Sequence, residues 1–194
     1  MVIEHDYFLQ DDVVFAARDL LGKYIFTRVG GQLCGGMIFE TEAYKGITDK
    51  ASHAFGGRRT RRNEAMYAEG GIVYVYLCYG MHHLLNLVFN REGAPDAVLI
   101  RGILLTHGEE LVLQRTGKTK VTPTICQGPG RVSKALGITV ADNALQIPSA
   151  KIWLEDRKIT PLHEEIKITP RIGVDYAGED AALPYRFVWK KKLF

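Results

Sequence analysis

The sequence predicts an α+β fold, a single mixed domain around a mainly antiparallel β-sheet. Strand-like runs dominate, and the few helical segments are interspersed without strict alternation. Two pairs of adjacent strand-like runs are separated by short glycine-containing turns, which is typical of β-hairpins. The chain has 194 residues and no repeat, low-complexity segment or compositional break. We therefore predict one domain spanning residues 1–194.

The first elements are a helix, a hairpin and a long loop. Asp11 or Asp12 can cap a helix through VVFAARDLLG that ends at Gly22. The runs KYIFTRV and LCGGMIFETEAY flank a GGQ turn and predict the first hairpin. Residues 45–70 are polar and glycine-rich, with one helical turn expected near NEAMYA. A loop of that length inside a compact domain is more often functional than decorative.

The second half begins with another hairpin. Strand-like runs at 72–78 and 84–90 enclose YGMHH, and a third strand is predicted at 97–105. Residues 106–125 predict a helix with a polar connector, and QGPGRVSKALGI places Gly and Pro just before a short helix. The runs KIWLEDR, IKITPRIG and YRFVWKK predict further strands, followed by a solubilising tail of Lys190, Lys191 and Lys192.

Composition restricts the class of protein. A hydrophobic fraction of 46% and a charged fraction of 24% are typical of a globular protein. The net charge of +3 permits a polyanionic partner without requiring one. No run is apolar enough to span a membrane, and MVIEHDYFLQDD lacks the regions of a signal peptide. Cys34, Cys78 and Cys126 form no CxxC pair, so we expect reduced, buried thiols and no metal site in a soluble intracellular protein.

Two segments are candidate anion sites. GGRRTRRN holds four arginines within five residues and no acid between them. The run is open to two interpretations, a solvated surface loop or a phosphate site, for which the planar guanidinium is well suited. In GPGR, free backbone N–H groups at a helix start can hold a second phosphate together with Arg131.

Acidic and basic residues also interrupt strands. In FETEAY, Glu40, Glu42 and Tyr44 share one face of a strand. We expect Glu40 on the exposed face of an edge strand. Arg101 within AVLIRGILL is costly to bury without a partner, and Glu42 is the obvious candidate. The pattern alone leaves open a structural ion pair, a catalytic pair, or sugar hydrolysis by the two glutamates.

Aromatic and amide residues mark the second hairpin. Tyr74 and Tyr76 share one face of the strand, whereas Tyr79 has the opposite parity and stands beside Gly80 where the strand should end. Asn86 interrupts the apolar run LLNLVF. Histidines occur in the loop and after YGM, but no spacing matches a zinc signature.

Taken together, ETEAY, a loop histidine, GGRRTRRN, YVYxxYGMxxxLN and a strand arginine resemble the alkyladenine (methylpurine, or 3-methyladenine) DNA glycosylase family of base-excision repair. The resemblance runs from the N-terminal helix to about residue 190. It implies a curved antiparallel sheet with a protruding β-hairpin that enters the DNA minor groove. It also implies a monomer without a cofactor or a metal, acting on double-stranded DNA that contains damaged purines.

The resemblance implies a role for each matching residue. Glu42 corresponds to the general base that activates the attacking water, and Arg101 to the arginine that helps hold this water. The base pocket would consist of Tyr44, His53, Tyr76 and Asn86, the last of which excludes normal guanine. The intercalating residues would be Tyr79 and Met81. The phosphate-binding residues would be Arg58, Thr60, Arg62, Gly130 and Arg131.

The implied reaction is hydrolysis of an N-glycosidic bond. An alkylated or deaminated purine, such as 3-methyladenine, 7-methylguanine, hypoxanthine or etheno-adenine, is flipped out and released, leaving an abasic site. No lysine lies in these motifs, so we expect a monofunctional enzyme, located with the DNA in a bacterial cytoplasm and nucleoid or in a eukaryotic nucleus. His82 stands where the family often has an aromatic residue. The alternative is a non-catalytic nucleic-acid-binding module of the same fold.

Overall fold

The computed structural model of the chain describes residues 1–190. Its centre is a curved, open and mainly antiparallel sheet, which confirms the predicted α+β class. The strands are β1 Tyr24–Val29, β2 Gln32–Tyr44, β3 Val73–Cys78, β4 His82–Phe89, β5 Asp96–His107, β6 Ile152–Glu155, β7 Ile166–Thr169 and β8 Arg186–Trp189. Their order is β3-β4-β5-β2-β1-β6, and β8 pairs with both β2 and β7.

Short helices connect the strands. The α-helices of the described chain are α1 Val13–Asp19, α2 Glu109–Thr116 and α3 Pro129–Leu136. The 3₁₀ turns are His5–Leu9, Phe55–Gly57, Glu64–Tyr67, Val140–Asp142, His163–Glu165 and Asp175–Ala182. The predicted cap is Asp12, whose carboxylate accepts hydrogen bonds from the N–H groups of Val14 and Phe15 at 3.0 Å. No helix within residues 1–190 is both long and apolar enough to cross a membrane.

The elements predicted from the sequence are present. Both hairpins form, the first around Gly30 and Gly31 and the second around the turn that follows Cys78. The helical turn near NEAMYA and the three C-terminal strands are also found. Within the predicted basic tail, residues 191 and 192 lie outside the described residues.

The main core lies on one face of the sheet. Alternate residues of the central strands point into it, as the period of two along a strand requires. Helices α1 and α3 cover this face with Val13, Ala16, Ala17, Val132, Ala135 and Leu136. The hydroxyl of Thr41 on β2 donates a 2.6 Å hydrogen bond to the carbonyl of Ala17 and thereby ties α1 to the sheet. The opposite face is left for the loops.

Two loop segments cover that opposite face. Ala54, Met66 and Tyr67 of the 45–70 loop pack against sheet residues of β3, β4 and β5. A second, smaller cluster combines Ala51 with the segment 174–181. The long loop is therefore packed on the sheet by its own apolar residues, and between the two segments a cavity remains.

The pairing of β2 with β5 contains three register shifts, one between Gly35 and Gly36 and one on each side of Glu40. Ile38 pairs with Ile103 and Glu40 with Gly102, so that Phe39 has no partner on β5. Glu40 and Thr41 in turn pair with Gly102 and Ile100, which leaves Arg101 without a partner on β2. Bulges of this kind re-aim a side chain and are frequent beside active sites. The bulge turns the Arg101 side chain towards Glu40. The backbone carbonyl of Arg101 accepts a hydrogen bond from the N–H of Gly128 at 2.8 Å.

Candidate active site

The cavity has a volume of about 1170 Å³ and is assembled by the sheet register. One cross-strand row through β2, β5, β4 and β3 consists of Glu42, Leu99, Asn86 and Tyr74. Residues opposite one another in a sheet point to the same face, so these four side chains converge. Tyr44 and Tyr76 lie two residues from this row along their strands and therefore join the same face.

The Glu42 side chain is fully buried, with none of its surface exposed. Its carboxylate accepts hydrogen bonds from the Ile172 N–H at 2.8 Å, the Tyr44 hydroxyl at 3.0 Å and the Arg101 guanidinium at 3.4 Å. Burial raises the pKa of Glu42, and the charge of Arg101 opposes that rise. The predicted pairing of Glu42 with Arg101 is thus present. Among the described residues, Tyr44, Arg101 and Ile172, which bind the carboxylate, line the cavity, whereas Glu42 itself does not.

The expectation that Glu40 is exposed on an edge strand is wrong. Glu40 is only 2% exposed, because β8 pairs with β2 along Glu40–Glu42, so β2 is not an edge strand there. One Glu40 oxygen accepts hydrogen bonds from the Nε–H of Arg101 at 2.9 Å and that of Arg186 at 2.8 Å. The sequence gives no local signal for this pairing, since Arg186 stands 146 residues away.

An aromatic group forms the other side of the cavity. His53 Nδ1 and the Tyr74 hydroxyl are 2.8 Å apart, and the His53 ring meets the Tyr76 ring edge-on at 4.6 Å between centroids. Burial, with the nearby charges of Arg62 and Arg58, lowers the pKa of His53, which favours the neutral imidazole.

Tyr74 belongs to this group although only its strand parity pointed to it. Its ring centroid is 5.5 Å from that of Tyr76, and burial raises its pKa to about 12. Next to it, Asn86 is 3% exposed and donates its amide N–H groups to the carbonyls of Tyr74 at 3.1 Å and Leu84 at 3.3 Å. The Asn86 amide is therefore held in one orientation.

The tip of the second hairpin exposes two large side chains. Tyr79 is 87% exposed and Met81 is 69% exposed, so neither contributes to the core. Tyr79 has a φ of 50°, in the left-handed region that a tyrosine rarely adopts. The sequence placed Tyr79 and Tyr76 in different environments, and the structure has one at the tip and the other half-buried in the cavity wall.

The arginine loop is less uniformly charged than its sequence indicates. Arg59 binds the carboxylate of Glu64 through two nitrogens, although no acid stands within the run itself. The Thr60 N–H and hydroxyl both donate to the Asn63 side-chain oxygen, at 2.7 and 2.9 Å. Arg62 lines the cavity and donates to the Leu77 carbonyl at 3.0 Å. Arg58 is exposed.

The GPGR segment lines the cavity beside the second hairpin, but its backbone is not entirely free. Helix α3 begins at Pro129, and the N–H of Arg131 donates to the Gly128 carbonyl at 3.0 Å. The backbone N–H of Arg131 is therefore occupied within the helix start, and the phosphate site at GPGR stays a prediction. A Cβ atom added to Gly130 would stand 3.1 Å from the His82 ring, so only glycine fits there without displacing it.

Sequence reasoning missed a buried ion pair behind the cavity wall. The Arg171 guanidinium binds both carboxylate oxygens of Asp49 and donates to the Ala43 carbonyl at 2.9 Å. Its central carbon lies 4.8 Å from the ring centroid of Tyr44. A lone arginine in the polar run TPRIG resembles a surface residue, so nothing local distinguishes it.

The three cysteines and the possible metal ligands were considered within residues 1–190, the described part of the chain. Cys34 and Cys126 are buried free thiols, whereas Cys78 is only partly buried at the cavity wall, so the expectation that all three are buried is wrong for Cys78. No group of three or more His, Cys, Asp or Glu side chains in the described part of the chain has the arrangement of a metal site.

Comparisons with known proteins point to one family. A sequence model described as methylpurine-DNA glycosylase matches residues 7–193. A protein of Chlamydia felis is 43% identical over 188 residues, which cover 96% of this chain and 95% of the relative. One from Chlamydia pneumoniae is 44% identical, with coverages of 97% and 94%, and one from Bacillus cereus is 40% identical, with 96% and 95%. All three are named "Putative 3-methyladenine DNA glycosylase".

Proposed function

Because the chain belongs to the methylpurine-DNA glycosylase family, we propose that it is a monofunctional DNA N-glycosylase that excises alkylated or deaminated purines from duplex DNA. The observation that carries the proposal is the buried Glu42–Arg101 pair beneath a cavity walled by tyrosines. Phosphate binding alone requires neither a buried carboxylate nor this aromatic wall. The product is duplex DNA with an abasic site.

The first step is extrusion of the damaged nucleotide. A base stacked in the duplex cannot reach a recessed carboxylate, and flipping it out costs a few kcal/mol of stacking and pairing. Tyr79 and Met81 at the hairpin tip enter the minor groove and fill the space that the base leaves, which offsets part of that cost. Their high exposure in the free protein leaves them available for this contact.

The extruded purine then lies between the aromatic walls. Tyr44 and Tyr76 offer ring faces, and His53 meets the edge of the base. A purine methylated at N3 or N7 is cationic, so stacking on tyrosine gains about 0.5–2 kcal/mol of cation–π attraction per contact. The neutral His53 favoured by its surroundings adds no repulsion. Asn86 holds its amide rigidly and leaves no room for the 2-amino group of guanine.

Hydrolysis follows from a water activated by Glu42. The ionised carboxylate accepts the proton of the water and stabilises the oxocarbenium-like sugar, while Arg101 helps to orient the water. Glu42 is fully buried in the free protein, and Ile172, whose N–H binds it, belongs to the segment that lines the cavity. A small shift of that segment on DNA binding admits the water.

The DNA backbone is held by positive charge around the cavity. Arg58 and Arg62 bind phosphates on one side, with Thr60 supporting the loop. The Gly130 and Arg131 region of α3 binds the backbone on the other side. These contacts make binding dependent on salt. We propose that the protein acts as a monomer and that residues 1–194 form a single domain.

Base release tests the proposal directly. One duplex carries hypoxanthine and another is treated with a methylating agent, and alkali reveals the abasic sites after incubation. Wild type should release base, whereas Glu42→Gln should be slower by about a hundred- to ten-thousand-fold, the usual contribution of a general base. Glu155→Gln, on β6 and outside the cavity, is the matched control.

The outcomes separate three interpretations. Release by wild type and by the control, but not by Glu42→Gln, supports the assignment. Normal release by Glu42→Gln would exclude Glu42 as the base. Tight, salt-sensitive binding by wild type without any release from either duplex would favour the non-catalytic binding module.

A further inference from the structure

A second buried carboxylate lies beside the proposed base. Glu40 lines the cavity, and one of its oxygens accepts hydrogen bonds from both Arg101 and Arg186. With Glu42 these side chains form a group of two carboxylates and two guanidinium ions, in which the formal charges balance. All four are at least four-fifths buried, so their interactions are screened less than those of surface charges.

The distances show which carboxylate holds Arg101. The Nε of Arg101 is 2.9 Å from the Glu40 oxygen and 3.4 Å from the nearer Glu42 oxygen. The shorter contact is a charge-assisted hydrogen bond of ordinary length. Arg101 reaches Glu42 only at 3.4 Å, through the Nε contact and through a long hydrogen bond from Nη1 to the other carboxylate oxygen. Arg186 binds the same Glu40 oxygen at 2.8 Å and donates to Thr169 at 3.2 Å, which fixes Glu40 from the β8 side.

We propose that Glu40, held in place by Arg186, is a positioning residue that orients Arg101 towards Glu42 and sets the pH at which Glu42 acts as a base. This inference rests on the proposed function, because it concerns the same reaction. Arg101 is a bulge residue without a strand partner on β2, so its direction depends on side-chain contacts more than on the ladder. Glu40 provides the shortest of those contacts.

The charged and titratable groups around Glu42 come from every neighbouring element. They are Glu40 and Tyr44 on β2, Arg101 on β5, Arg186 on β8, Tyr76 on β3, and Arg171 and Tyr176 in the 171–176 segment. Within this set Glu40 is the other carboxylate, and the neighbouring Asp49 is bound to Arg171. By repulsion between like charges, an ionised Glu40 disfavours ionisation of Glu42. Arg186 favours that ionisation. Replacing Glu40 and replacing Arg186 must therefore shift the pKa of Glu42 in opposite directions.

The test is the pH dependence of single-turnover release of hypoxanthine, with enzyme in excess over DNA. For Glu40→Gln we expect a lower maximal rate and an acid limb shifted to lower pH by about one unit, since a like charge is lost. For Arg186→Gln we expect the acid limb to shift to higher pH. The double variant should return the acid limb towards wild type, because it removes one charge of each sign near Glu42. Arg157→Gln on the β6 side of the sheet is the control for loss of a positive charge.

Each result decides the matter. Opposite shifts in the two single variants support the proposal, and a merely structural role would lower the rate without moving the limb. Unchanged limbs, or shifts of the same sign, would overturn it. If Glu40→Gln does not fold, as judged by circular dichroism and thermal unfolding, Glu40→Asp decides: it keeps the charge but withdraws the carboxylate from Arg101, so its maximal rate should fall with the limb unmoved, and an unchanged rate would overturn the positioning role.

The same experiment detects an exchange of roles. If Glu40→Gln abolishes release while Glu42→Gln retains it, Glu40 is the base and the positioning role is overturned. Absence of release by wild type would instead contradict the proposed function. Failure of the proposed function and failure of the positioning role of Glu40 therefore give different results.

Discussion

Arg171 covers a face of the Tyr44 ring, with its guanidinium carbon 4.8 Å from the ring centroid. The Arg171 side chain is fully buried and absent from the cavity lining, whereas Tyr44 belongs to that lining. The cation therefore lies behind the ring, on the side turned away from the cavity. One ion pair with Asp49 thus supports a wall of the proposed base pocket.

The buried Arg171–Asp49 ion pair predicts that removing one partner destabilises the protein much more than removing both. Arg171→Met leaves the buried Asp49 carboxylate without its partner and should lower the free energy of unfolding by about 3–5 kcal/mol. The double variant Arg171→Met/Asp49→Asn should lose clearly less, because no buried charge remains unpaired. Urea unfolding of both variants and wild type measures the difference. Equal losses in the two variants would contradict the account.

As the pH falls, wild-type activity should be lost at a higher pH than it would be with an ordinary glutamate as the base. Burial raises the pKa of Glu42, and the base must be ionised to accept a proton from water. The active form is therefore lost as the pH falls through that raised pKa, above the usual value of about 4.3 for a glutamate. Single-turnover release across acidic pH measures the midpoint. A midpoint at or below the ordinary glutamate value would argue against a buried base.

Tyr79→Asn should gain stability and lose activity. Asparagine tolerates a positive φ better than tyrosine, and the exposed Tyr79 ring has little packing to lose. We expect the free energy of unfolding to rise by about 0.5–1 kcal/mol, less than the usual cost of about 1–3 kcal/mol for a strained residue, because asparagine relieves only part of the strain. Base release should slow by on the order of tenfold or more, because the side chain proposed to fill the space left by the extruded base is gone. Phe15→Ala, at another exposed aromatic site on α1, should leave release unchanged.

Asn86→Ala should relax selection against guanine. The Asn86 amide is fixed by hydrogen bonds to two backbone carbonyls, so it cannot turn aside for a 2-amino group. Its removal should raise release of guanine relative to hypoxanthine by roughly tenfold, as expected when a steric exclusion of a competing substrate is lost. Measuring both bases with the same preparation makes the ratio independent of the active fraction. An unchanged ratio would assign guanine exclusion to another residue.

The arginines of the loop should contribute unequally to DNA binding. Arg59 already binds Glu64, whereas Arg58 has an exposed side chain with no such ion pair to any residue within 1–190. Loss of one phosphate contact reduces the slope of log affinity against log salt by about 0.9. We expect that reduction for Arg58→Ala and a smaller one for Arg59→Ala. Titration of a lesion-containing duplex at several salt concentrations compares them, and equal slopes would show that Glu64 releases Arg59 on binding.

Local patterns were sufficient for the elements of the fold. The Asp12 cap, the glycines of the first turn and the alternation along β3 and β4 each act within a few residues, so the sequence indicates them directly. Strand parity also grouped Glu42 with Tyr44 and separated Tyr76 from Tyr79. The resemblance to a glycosylase family rested on these same motifs, and the family match confirms it.

Sequence patterns alone were therefore enough to predict the fold class, the elements, the family and the Glu42–Arg101 pair. The burial of Glu40, the bulge at Arg101 and the position of Arg171 behind Tyr44 became visible only in the folded chain. The partners concerned are 61 to 146 residues apart. Strand pairing and bulges bring such residues together, and a periodicity of two residues carries no information about which distant strand will cover an edge.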